Sequence, residues 1–133
     1  MEPAFLRELF EAVGEVEALV VRFATLRMSE VERQNLTVIV ENGEHEEADY
    51  SLVNDRFHDA LRQDAQNPML SGLLDDLQLR TMPLRRAQFR AQSDRIHSSQ
   101  AEHCAILRAV FAHDADEAET DARPYRRFAA HGA

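Results

Sequence analysis

The chain has 133 residues, 44% of them hydrophobic, with four Gly, four Pro and one Cys, and its 24 acidic against 15 basic side chains give a formal net charge of −9. This suits one folded domain over residues 1–133, of a size that removes roughly two-thirds of its unfolded surface from water. The acid excess serves solubility and repels phosphate backbones, apolar runs are too short for a membrane span, no secretion signal opens the chain, and the lone Cys104 excludes an internal disulfide and fits a reducing, cytoplasmic compartment.

Leu6, Leu9, Val13, Val16, Val20 and Phe23 repeat at helical spacing, so residues 3–24 form the first expected helix, with Pro3 in its first turn. Arg22 and Arg27 fall near its end, where cations suit the helix dipole. Ser29 and Glu32 make a capping box, and a second helix runs to Asn42 with Gly43 as its stop. Thr37 to Val40 is β-branched and also reads as a strand, but Leu36, Ile39 and Val40 share a helical face and a lone strand has nothing to pair with. Residues 43–49 are an acidic loop or the capped start of helix three, which ends at Asn67-Pro68. Helix four carries the stripe Leu70, Leu73, Leu74, Leu77, Thr81, Leu84, Gln88 and Ala91, with Pro83 inside it as a bend. Ser99 and Glu102 form a second capping box for helix five, and Asp114 with Glu117 caps a sixth. Pro124 should kink or stop that last helix near Tyr125, ahead of a frayed tail. The expected architecture is an all-α antiparallel bundle of about six helices.

In helix three, Asn54, Phe57, His58 and Leu61 lie at i, i+3, i+4 and i+7, one face. In helix five, His103, Ile106, Leu107 and Val110 repeat the pattern. An amide and two imidazoles therefore project from apolar faces that share a core. Buried without partners, such groups cost on the order of a few kcal/mol each. Either they are hydrogen-bonded core residues, or they ligate a transition metal; spacing leaves both open. His45, His97, His113 and His131 fall in loops or at ends and read as surface residues. Cys104 points about 100° from His103, against a Cys–His pair. Arg85 and Arg86 read as a solvated cluster, or as one arginine reaching a carboxylate ligand.

The segments NDRFHDAL, NPML, LRTMPLRRAQF and SQAEHCAILRAVFAHDADEA, with the earlier FEAVGEVEALVVRFATLRMSEVE, resemble the C-terminal effector-binding (FCD) domain of GntR-type transcriptional regulators of the FadR subfamily. The resemblance implies a helical bundle that binds a small carboxylate, often beside a metal ion such as zinc or nickel, within a homodimer. It implies metal ligands at Asn54, His58 and His103, with effector contacts from these and from Tyr125; Arg85, from the arginine cluster, is a further candidate for the effector carboxylate. Tyr125 stands where a fourth histidine is expected, and tyrosine is a poor ligand unless ionised, its reference pKa being about 10. The winged helix-turn-helix of such regulators is missing, so the chain is expected to meet DNA only through it. A dimerisation module with a vestigial, metal-free pocket is the alternative. A metal-dependent enzyme is the third reading, but its nearest base, Glu102, lies about 100° off the inward face.

Overall fold

The computed structural model describes residues 3–45, 48–91 and 93–123, with side chains given for 4–45, 48–83 and 94–123. Among these residues the chain forms six helices: α1 (Pro3–Arg27), α2 (Glu30–Asn42), α3 (Tyr50–Asp64), α4 (Pro68–Ala91), α5 (Ser93–Phe111) and α6 (Ala115–Asp121). Thr37 to Val40 is helical: Leu36 and Val40 are buried while Val38 faces solvent, a pattern that only a 3.6-residue period produces.

Side chains in the connections start most of the helices. Ser29 and Glu32 close a reciprocal capping box on α2, Asp49 accepts from Leu52 N at α3, and Asp114 accepts from Glu117 N at α6. At α4 the Asn67 amide oxygen accepts from Leu70 N at 3.1 Å, and Pro68 fills the first position, where a missing N–H costs nothing.

Helix α1 lies against α3, α4 and α6, while α5 packs on α2, α4 and α6. Val13, Val20, Val21 and Ala24 of α1 meet Leu36, Phe57, Leu61, Leu74, Ile106 and Val110 in one continuous core. Alanines at 109, 118 and 122 let α6 approach closely, so a helix of seven residues can seal the end of the bundle.

Three expectations are corrected. Ser99 is not a cap: α5 begins at Ser93, and Ser99 is an interior residue, 3% exposed. Gly43 ends α2 as expected, in the right-handed region at φ −70° rather than in a left-handed turn; a Cβ there would lie 2.4 Å from Gln100 Oε1, so the glycine also makes room for the α5 side chain that donates to Val40 O. Leu73 is 50% exposed, and Gln78 holds the inward position instead, donating to the buried Glu17 of α1 at 2.8 Å. His97 lies within α5 rather than in a loop, though exposed as expected. Pro83 lies inside α4 on its solvent side.

Candidate functional site

The polar site sits between α3 and α5. Tyr50, Asn54, Phe57, His58 and Leu61 continue one stripe along α3, and Ser99, His103, Ile106 and Val110 form the facing stripe of α5. Large apolar members pull both stripes inward, and the polar members are carried with them. Phe57 is fully buried, Asn54 is 6% exposed and His103 2%.

His103 is held on every side. Its ring stacks on Phe57 with centroids 4.0 Å apart, and the Tyr50 ring lies nearly parallel at 5.9 Å. Its Nε2 lies 3.1 Å from Asn54 Oδ1, and its Nδ1 lies 3.2 Å from Tyr50 Oη. Tyr50 Oη in turn lies 3.0 Å from Ser99 Oγ, one turn back along α5. The ring of His58 meets that of His103 edge-on, centroids 5.7 Å apart, and its own edge against Phe57 fixes its rotamer. His58 is half-buried, so the pair has one sealed and one reachable imidazole.

The electrostatics follow from this enclosure. Burial pushes His103 well below the ordinary imidazole value, and His58 and Arg95 push it the same way. The ring is therefore neutral at physiological pH, with one N–H and one lone pair. Burial also raises the Tyr50 phenol to about 12, against the opposing Ser99 hydrogen bond, so it stays protonated. Two hydrogen-bond patterns satisfy these groups. In one, Tyr50 O–H donates to Nδ1 and Nε2–H donates to Asn54 Oδ1. In the other, Nδ1–H donates to Tyr50 Oη, Tyr50 donates to Ser99 Oγ, and the Nε2 lone pair and Asn54 Oδ1 face the same space as two acceptors. The second pattern leaves the Nε2 lone pair open to a cation, or to the Asn54 amide turned so that its Nδ2–H donates.

Asn54, His58 and His103 thus come together from two helices, as their spacing suggested. The Arg85 side chain and the whole of Tyr125 lie outside the described residues. Sequence reasoning missed Tyr50 and Ser99. Tyr50 lies one turn before Asn54 on the same stripe, a legible signal; Ser99 carries the spacing of a cap, with Glu102 three residues on. Glu102 is half-buried and 3.9 Å from Arg95, in an ion pair rather than at the imidazoles. Among the described residues no group of three or more His, Cys, Asp and Glu could hold a metal, so any metal would depend on the Asn54 amide. A separate groove of about 370 Å³ opens at the α3–α4 turn. Its Arg62 is already paired with Asp59 and Asp75, which leaves little attraction for an acid there.

A family model described as the FCD domain matches residues 8–123. The chain belongs to the FCD family. FCD domains are the effector-binding regulatory part of GntR-type regulators. Among solved structures this FCD domain is similar to E. coli McbR/YncC, with a TM-score of 0.80 at 19% identity, covering 90% of this chain and 59% of that one. That likeness carries the fold, and the chain spans under two-thirds of its neighbour's length. No match emerges among curated proteins. No described helix of this FCD domain is long and apolar enough to cross a membrane.

Proposed function

We propose that this FCD domain senses a small organic acid whose carboxylate meets a zinc or nickel ion held by Asn54, His58 and His103. The observation that carries the reading is the approach of His103 Nε2 to Asn54 Oδ1, 3.1 Å, beside the edge-on His58 ring. Adjacent ligands around an ion with bonds of about 2.1 Å lie roughly 3.0–3.4 Å apart, so the two atoms fit neighbouring ligand positions. A bound divalent ion would supply positive charge and open positions for a carboxylate. Around it, Phe57 keeps the His103 ring in place, Asn54 offers an amide oxygen, and half-buried His58 marks the reachable side. Arg85 and Tyr125, outside the described residues, are the further candidates for effector contacts. In an intact regulator, a homodimer passes this binding to a winged helix-turn-helix domain, coupling two sites through differential affinity. A metal-free pocket is the second reading, favoured by the hydrogen bond that Nε2–H makes to Asn54 Oδ1 in the first pattern.

Calorimetry with a panel of small mono- and dicarboxylic acids, with and without Zn²⁺ or Ni²⁺, tests this. Heat that needs the metal and disappears in His58→Ala is expected. Heat that persists in chelator supports the metal-free pocket, and no heat with any acid overturns both.

A further inference from the structure

We propose that Tyr50 is a positioning residue whose hydroxyl, shared between Ser99 Oγ and His103 Nδ1, lets His103 turn an unprotonated Nε2 toward Asn54 and a cation. The inference rests on the metal reading above, but its key observation is independent of any ion. A phenol has one proton to donate and lone pairs to accept with. At 3.0 Å from Ser99 Oγ and 3.2 Å from His103 Nδ1, Tyr50 Oη can give that proton to either neighbour. When it gives to Ser99, it accepts from Nδ1–H, and Nε2 is left with its lone pair. When it gives to Nδ1, Nε2 carries the hydrogen and bonds Asn54. Changing patterns moves one imidazole proton from Nε2 to Nδ1 and releases none.

The surroundings make this oxygen hard to replace. Tyr50 is 5% exposed and Ser99 3%, so Nδ1–H without Tyr50 would be a buried donor facing an apolar ring. Asn54 is engaged at the other nitrogen, and Phe57 covers a ring face, where it cannot accept in the ring plane. The hydroxyl thus supports the tautomer with a free Nε2 that a ligand must have, the role that a partner on the far nitrogen plays for metal-bound histidines in general. A tyrosine adds a feature that a fixed carbonyl lacks: it serves the empty tautomer as donor and the loaded one as acceptor.

Tyr50→Phe keeps the ring packing and removes only the oxygen. Zinc is titrated by calorimetry into wild type and variant, and long-range ¹⁵N–¹H correlation of the His103 ring is recorded on both metal-free proteins. Zinc affinity is expected to fall about 10–100-fold in Tyr50→Phe, while the unprotonated ring nitrogen moves toward the resonance of an acceptor without a hydrogen bond. Equal zinc affinity in the two proteins overturns the inference. If the wild type itself takes no zinc, the metal reading fails, and the nitrogen resonance alone decides: a shift in the variant upholds the role of Tyr50, and an unchanged resonance overturns it. Should Tyr50→Phe not fold, Ser99→Ala is measured the same way; it removes the acceptor of the Tyr50 proton, so a several-fold loss upholds the chain of contacts and no change overturns it.

Discussion

Asp64, 8% exposed in the last turn of α3, has its carboxyl against that of Glu32 in the α2 capping box. Burial first, and then Glu32, raise it to about 7, whereas the Asp64 hydrogen bond first, and then Ser29, hold Glu32 below the usual carboxylate range. One proton is shared between the two groups. The unfolded chain releases the Asp64 proton near pH 4, so from there to about pH 7 the folded state holds a proton that the unfolded state has lost. Stability therefore falls as pH rises through that window, an effect absent below it and complete above it. Asp64→Asn keeps a donor toward Glu32 without the charge. It is expected to be more stable than wild type at pH 8 by about 1–2 kcal/mol, discounted for solvent screening at the rim of the bundle, with the gap closing near pH 4. Urea melts at the two pH values check this. The same residue shows what sequence hides. Asn54, His58 and His103 were legible because helical spacing put polar groups on apolar faces. Asp64 also lies on the α3 stripe, three residues past Leu61, but a charged side chain at a helix end reads as solvated, and only the fold brings Glu32 over it.

At the scale of elements, the join between α1 and α3 depends on Arg27. Its guanidinium donates to Ala65 O at 2.8 Å and Gln66 O at 3.2 Å, beyond the end of α3, and lies 4.8 Å over the Phe23 ring. Gln66 returns a bond from its side chain to Arg27 O. Each helix end thus satisfies carbonyls of the other that have no intrahelical donor. Arg27→Ala is expected to cost about 1–2 kcal/mol, the range for charge-assisted bonds reduced by their exposure, measured by chemical denaturation with an unchanged slope. Here too the sequence was partly readable. It placed a cation at the end of α1, but the helix it serves is α3. Boundaries were clear wherever a short polar side chain stood before an apolar stripe, as at Ser29 and Asp114. They failed at Ser99, whose three-residue spacing to Glu102 recurs by chance inside a helix; the hydroxyl belongs to a contact with Tyr50, 49 residues away. Gly43 does end α2 where the sequence placed the stop, and its small size serves Gln100 as well.

Across the whole molecule, the stripes of α3 and α5 meet at Phe57 and His103, and α3 is held against α1, the helix that carries the largest share of the core. The order of apolar stripes fixed an all-α bundle in advance, because six amphipathic segments with short connections have few other ways to bury their faces. What no stripe could convey is the arrangement between α3 and α5, where the rings of Phe57 and Tyr50 both lie nearly parallel to the His103 imidazole. The function proposed above requires that Asn54, His58 and His103 hold an ion. Elemental analysis of the protein, purified without chelator and dialysed against trace Zn²⁺ or Ni²⁺, tests it most directly. About one metal per chain is expected, falling to background in both His58→Ala and His103→Ala. A wild type that stays empty, or retention of metal by both variants, would contradict it.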